Sequence, residues 1–99
     1  MAAPRIEVVH NPGQSRFEAI VDGGLCRADY RMAGGVMRLV HSEVPHRLEG
    51  RGFAGQVVQG ALDYARVNGL KVAPMCSYVR AYMRRHKATH DLLAEGYAF

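Results

Sequence analysis

The chain has 99 residues, 48% of them hydrophobic and 22% charged, with a formal net charge of +4. This is one domain's length with room for a modest core, and the composition excludes a disordered chain. No run of about 18 apolar residues occurs, which leaves no candidate membrane helix.

In chain order, the first half reads as strands. Arg5 to His10 alternates loosely and stops at Asn11-Pro12-Gly13, a strong turn signal. Arg16 to Val21 alternates Phe17, Ala19 and Val21 against Arg16, Glu18 and Ile20, and Asp22-Gly23-Gly24 turns the chain. Leu25 to Met32 follows, with Cys26, Ala28, Tyr30 and Met32 on its apolar face. After Ala33-Gly34-Gly35, Val36 to Glu43 is a fourth strand. Its strict period of two puts Met37, Leu39, His41 and Glu43 together, against Val36, Arg38, Val40 and Ser42. Tight turns between these strands predict an antiparallel meander.

The second half changes period. Phe53, Val57, Val58, Ala61, Leu62 and Ala65 recur at helical spacing, and Asn68-Gly69 is a helix stop. Leu70 to Pro74 reads as a short strand, and a helix between two strands permits a right-handed crossover into a parallel pair. A second helix is expected near Tyr78 to His86, with Val79, Tyr82, Met83 and His86 inward, and a short third one near His90 to Ala94. The fold class is α+β: a mainly antiparallel sheet with helices packed on it, in one domain over residues 1–99. Met1-Ala2-Ala3-Pro4-Arg5 lacks the apolar stretch of a secretory leader. With only Cys26 and Cys76, the chain reads as a cytoplasmic protein with free thiols, a single bridge between them being the alternative.

Charge is unevenly placed. Residues 1–50 hold six Arg and six Asp/Glu, while residues 51–99 hold seven Lys/Arg and three Asp/Glu. A basic half suits an anionic partner or is simply a solvated face. The stretch from Val44 to Gly55 joins a strand to an amphipathic helix through Gly50, Gly52 and Gly55. Glycines let backbone amides approach a ligand, and the free amides of a new helix favour phosphate. Arg47 and Arg51 add positive charge there. Gly50-x-Gly52-x-x-Gly55 matches the dinucleotide fingerprint literally, but the preceding strands form a meander and no acidic residue lies about 20 positions on. The pattern of a nucleotide-triphosphate loop is also absent. Cys76, His41 and Glu43 are candidate reactive groups, each with a plain alternative as packing or surface. His86 and His90 have the spacing of paired metal ligands, but no further ligand is placed near them, and no metal site is expected. Arg80 and Arg84 share a helix face and could reach phosphate, a solvated face being the alternative.

Taken together, these segments resemble the GNAT N-acyltransferases, and within them the small single-domain branch. The resemblance rests on His41-Ser-Glu43-Val-Pro45, Leu48-Glu-Gly-Arg-Gly-Phe-Ala54, Ala61-Leu-Asp-Tyr-Ala65, Gly69-Leu-Lys-Val72, and Pro74-Met-Cys76 through Tyr82-Met-Arg-Arg-His86. It implies an enzyme that moves an acetyl group from acetyl-CoA to a primary amine. Backbone at Val44 would pair with the pantetheine arm, and an N–H there would meet the thioester oxygen. Arg51, Gly52, Phe53, Ala54 and Gly55 would hold the pyrophosphate, with Tyr82 and Arg85 also on the cofactor. With Gly52 and Ala54 as the small residues of the turn, the register preferred because Phe53 then begins the apolar stripe, Glu49 stands where the family pattern has Arg or Gln, at the expense of a side-chain contact but not of the amides. A literal alternative starts at Arg47 and uses Gly50 and Gly52. His41 is the first candidate base and Glu43 the second, since only about 0.04% of a lysine-like amine is neutral at pH 7. Cys76 would serve as proton donor to the leaving thiolate or as an acyl relay. Asn11 to Gln14 leaves only a hairpin where larger relatives insert helices, so the acceptor side should be open and suit an amine on a larger molecule. A CoA-binding module with little chemistry is one alternative. A basic nucleic-acid-binding domain is another, disfavoured by three Phe, no Trp and no interleaved basic-aromatic strand.

Overall fold

The computed structural model describes residues 4–99, so the reading at Met1–Ala3 lies outside the described residues. The strands are β1 (Val9–Asn11), β2 (Arg16–Val21), β3 (Gly24–Ala33), β4 (Val36–Glu43) and β5 (Lys71–Pro74). They form one sheet in sequence order. The first three pairings are antiparallel, and β4 pairs with β5 in parallel from Val36↔Lys71 to Leu39↔Pro74. The crossover between β4 and β5 is α1 (Phe53–Val67), and α2 (Ser77–Arg85) follows β5.

Each boundary has a local cause. Asn11 caps a single 3-10 turn over Pro12–Gln14 by accepting the Gln14 amide at 3.3 Å, and no helix separates β1 from β2. Asp22 and Gly23 take the positive φ angles of the first hairpin turn, and Gly34 and Gly35 those of the second. Helix α1 starts after Gly52 at φ 82°, a left-handed backbone that disfavours side chains. It ends where Asn68 donates its amide to the Tyr64 carbonyl and Gly69 turns at φ 67°.

The six apolar residues at helical spacing in α1 are all buried. They meet Phe17, Ala19, Cys26, Ala28, Tyr30, Met37 and Leu39 from alternate positions of β2, β3 and β4. Val79, Tyr82 and Met83 of α2 join the same core. Each large buried side chain contributes about 1.5–3 kcal/mol of transfer free energy. Both helices therefore cover one face of the sheet, and the opposite face carries no helix among the described residues. The helix-free face presents Arg16, Glu18 and Ile20 of β2 with Leu25, Arg27 and Asp29 of β3, their cross-strand partners.

The structure corrects several expectations. The first strand is three residues long, not six, because Ile6 to Val8 is not paired in the sheet and lies instead against α1. Gln56 grips this segment, accepting the Ile6 amide at 3.0 Å and donating to the Pro4 carbonyl at 2.8 Å. Met32 is 48% exposed, since it lies beyond the helix cover. His86 is exposed because α2 stops at Arg85, and its ring stacks on Tyr82 with centroids 3.9 Å apart. The third helix is a 3-10 stretch over Lys87–Leu92, and Leu93 then bridges to Val72. Both cysteines are free.

The correction that bears on function lies in β4. The β3–β4 register shifts between Asp29↔His41 and Tyr30↔Leu39, which leaves Val40 as an extra residue on β4. Such a bulge reverses which face the following residues take. His41 and Glu43 therefore leave the Met37–Leu39 face and join Asp29 and Arg27 on the helix-free face. Ser42, opposite Ala28, turns toward the helices instead.

Candidate active site

Strands β4 and β5 part after Leu39↔Pro74. The Leu39 carbonyl accepts both the Met75 and Cys76 amides, at 3.0 and 3.1 Å, as the chain leaves β5 for α2. From Val40 to Glu43, β4 has β3 on one side and no strand on the other. A cleft of about 390 Å³ opens there, lined by Ser42, Glu43, Val44, Leu48, Glu49, Gly50, Gly52, Phe53, Ala54 and Tyr78.

The cleft wall joins three kinds of group. The first is the opening of α1, where the Gln56 amide is the first to close on Gly52, at 3.3 Å, so the amides before it point outward without an intrahelical partner. Gly50 has φ 77°, and a Cβ there would meet no heavy atom within 4 Å, so the space beside these amides is open. Gly55 is a packing residue: a Cβ would lie 3.3 Å from the Tyr82 ring and 3.4 Å from the Tyr78 hydroxyl.

The second is the start of α2. Cys76 is its N-cap residue, with φ −83° and ψ 135°. Its Sγ lies 3.5 Å from Ser42 Oγ. Burial pushes the thiol pKa up, but the Ser42 hydroxyl and the amides of Val79, Tyr78 and Ser42 outweigh it, leaving the thiol below its ordinary value. Tyr78 lines the cleft, and burial holds its phenol above its usual range.

The third is a carboxylate and imidazole pair. Glu43 lines the cleft, and His41 Nε2 lies 3.4 Å from its Oε1. His41 is not itself in the cleft wall; it stands on the helix-free side, with Glu43 between it and the opening.

The other expected residues are placed as follows. Val44, Gly52, Phe53 and Ala54 line the cleft. Arg51 points away, 3.8 Å from Asp22 and 5.1 Å over the Phe53 ring, and Arg47 donates to the Asp22 carbonyl at 2.6 Å. Neither arginine is itself a lining residue of the cleft, and Arg51 meets its wall only through Phe53. Tyr82 is buried behind it, donating to Gln59 at 2.6 Å, and Arg85 is exposed at the end of α2. Glu49 lines the cleft with its carboxylate 3.5 Å from His46 Nδ1. His86 and His90 turn ring nitrogens to the carbonyls of Tyr82 and Met83, at 2.7 and 2.8 Å. Ser42 and Tyr78 were missed as site residues. Tyr78 had a signal, two residues past Cys76 in the first turn of an amphipathic helix; Ser42 had none without the bulge.

A pair of strands parts beside the opening of a helix, with titratable side chains on both sides of the gap. The family model of the GCN5-related N-acetyl-transferases matches residues 16–92, and the chain belongs to that family as a GNAT-type N-acetyltransferase domain. Protein NATD1 of Gallus gallus is 31% identical over 84 residues, covering 82% of this chain and 76% of that protein. Protein NATD1 of Homo sapiens is likewise 31% identical over 84 residues, with 82% and 74% covered. The fold is also that of a GCN5-like protein from Staphylococcus aureus solved by NMR, with TM-score 0.72, 21% identity, and coverage of 90% of this chain and 88% of that one.

Proposed function

We propose that this domain transfers the acetyl group of acetyl-CoA to a primary amine carried on a larger molecule. The observation that carries the reading is the cleft between the parted ends of β4 and β5, with the open amides of α1 beside it. Amides of Arg51 to Gly55 suit the pyrophosphate, because a helix N-terminus holds anions without needing a side-chain cation. That matters here, since Arg47 and Arg51 face Asp22. The unpaired edge of β4 near Val44 suits the amide-bearing arm of CoA, and an N–H there suits the developing oxyanion.

Three proton and bond changes have to balance. The amine nitrogen bonds to the acetyl carbon, the carbon–sulfur bond breaks, and the amine gives up a proton. His41 takes that proton by way of Glu43, which stands between it and the cleft. The phenol of Tyr78, held protonated by burial, faces the cleft and returns a proton to the leaving thiolate. Cys76 has a lowered pKa, which suits a relay better than a proton donor: on that route its thiolate bonds to the acetyl carbon as the CoA carbon–sulfur bond breaks, and the amine then displaces the Cys76 thiolate. The acceptor meets His41 from the helix-free face, which no helix covers and which suits an amine on a protein surface or tail.

Calorimetric titration of acetyl-CoA, with NADH and ATP as controls, tests the cofactor. Micromolar binding of acetyl-CoA alone is expected, and no binding at millimolar concentration overturns the reading. Mass spectrometry of a denatured protein mixture incubated with the domain and acetyl-CoA, run beside spermidine, then tests the acceptor. New acetyl-lysine or acetylated N-termini are expected, and turnover of spermidine alone would reject the large acceptor.

A further inference from the structure

The helix-free face carries an ordered lattice of charge beside the candidate base. Cross-strand partners in a sheet share a face. One row runs Glu18, Arg27, Glu43 across β2, β3 and β4, and the next runs Arg16, Asp29, His41. Signs alternate along the Glu18–Arg27–Glu43 row and between Arg16 and Glu18 and Arg27 and Asp29 along their strands, and His41 completes the second row. The contacts follow the lattice: Arg16 to Glu18 at 2.6 Å, Arg27 to Asp29 at 3.5 Å, Arg27 to Glu43 at 3.6 Å, and His41 to Glu43 at 3.4 Å.

The position of Arg27 in this lattice is specific. Three carboxylates surround it. Glu18 is already taken, by Arg16 at 2.6 Å and by the Asn11 amide at 3.0 Å. The remaining two, Asp29 and Glu43, are the cross-strand partner and the same-face neighbour of His41. Arg27 is the cation in contact with both. Its Nε and Asp29 Oδ1 are themselves shielded from water and have no hydrogen-bond partner, which leaves their 3.5 Å approach an ion pair without a hydrogen bond. The remaining charged groups on this face near His41 are Arg16 on β2, Arg31 on β3 and Arg38 on β4; no titratable group of α1 or α2 packs there.

We propose that Arg27 is a positioning residue: its guanidinium neutralises Asp29 and Glu43, the two carboxylates flanking His41, and fixes the side chain of Glu43 between His41 and the cleft. It does not line the cleft and acts through its two partners. This rests on the reading of His41 as base, but its test does not. Without the guanidinium, two uncompensated carboxylates hold the ring's proton to higher pH.

The test is a ¹H–¹³C NMR titration of the histidine rings, with the His41 signal identified by its loss in His41→Gln. Arg27→Met is expected to move the His41 midpoint up by about 0.5 pH unit, a modest solvent-screened coupling. Arg27→Lys restores most of the wild-type midpoint, because it keeps the charge. Glu43→Gln moves it down and reports the same coupling through a half-exposed side chain if Arg27→Met does not fold. Midpoints unmoved in Glu43→Gln and in any folded Arg27→Met overturn the proposal. The titration needs no turnover, so it judges Arg27 independently. The kcat of His41→Gln in acetyl transfer judges the base: full activity there rejects His41 and leaves the charge coupling standing.

Discussion

Ser42 and Cys76 are 34 residues apart in sequence, yet their Oγ and Sγ lie 3.5 Å apart, with Ser42 in the cleft wall and Cys76 outside the lining residues. Two independent backbone events bring them together. The bulge at Val40 turns Ser42 inward, and the end of β5 delivers Cys76 to the first turn of α2. The hydroxyl and the helix amides then stabilise the thiolate against the desolvation that would otherwise raise its pKa. Cys26 has the opposite setting: it is fully buried and its thiol is pushed up by burial. Brief iodoacetamide treatment of the native protein at neutral pH should therefore label Cys76 at least about tenfold more than Cys26. Ser42→Ala should slow the labelling of Cys76. Equal labelling of both thiols would show that the local fold around α2 is not as described.

The same site separates two chemical roles. A relay through Cys76 requires an acetyl adduct on its peptide after incubation with acetyl-CoA and no acceptor, abolished in Cys76→Ala. Tyr78→Phe removes only the phenol hydroxyl from the cleft wall. It should lower kcat by about 10² with the KM for acetyl-CoA little changed, the pattern of a lost proton transfer. Wild-type kcat in Tyr78→Phe would return the donor role to Cys76 or to solvent.

Much of this was legible in the sequence, for a physical reason. Period-two and period-3.6 patterns report which residues meet the core, and β2, β3, α1 and the parallel β5 followed from Phe17/Ala19, Cys26/Ala28, Phe53 to Ala65 and Val72. The side of the sheet on which His41 lies was not legible, because one extra residue changes facing without changing composition. Val40-His41-Ser42-Glu43 alternates equally well in either phase. A signal did exist on β3: Arg27 and Asp29 face outward, and their charges match Glu43 and His41 as cross-strand partners better than a core face does. Likewise, a strand at Arg5 to His10 was expected from apolar alternation, whereas the grip of Gln56 on Pro4 and Ile6 depends on a side chain 50 residues away.

That terminal segment gives a stability prediction with an unusual sign. Replacing a glycine inside a helix by alanine usually stabilises by about 0.8–1 kcal/mol. At Gly60 a Cβ would lie 2.7 Å from Val8 Cγ1 and 3.2 Å from its Cβ, a stiff branched side chain with little room to give. Gly60→Ala should lower stability or leave it unchanged in urea unfolding, and Gly60→Ala with Val8→Ala should recover the helix gain. A single variant more stable than wild type by the full helix increment would mean that Val8 does not rest on α1.

The response to acid should come first from His10. Its ring stacks on Phe17 with centroids 4.5 Å apart, meets Tyr64 at 4.4 Å, and hydrogen-bonds the Tyr30 hydroxyl at 2.6 Å. Burial lowers its pKa from the ordinary value of 6.5. The unfolded chain therefore takes up this proton at higher pH than the folded one, and stability falls as pH drops below about 6.5 toward the folded value. The slope in that window is at most about 1.4 kcal/mol per pH unit, the limit for one proton. Glu18 and Asp91 have lowered carboxyl pKa values and add their loss only at lower pH, below the ordinary carboxylate range. Urea midpoints measured between pH 7.5 and 5 should decline in the wild type and decline less in His10→Gln, which cannot take the proton. Parallel declines in both proteins would move the acid-sensitive group away from the aromatic cluster.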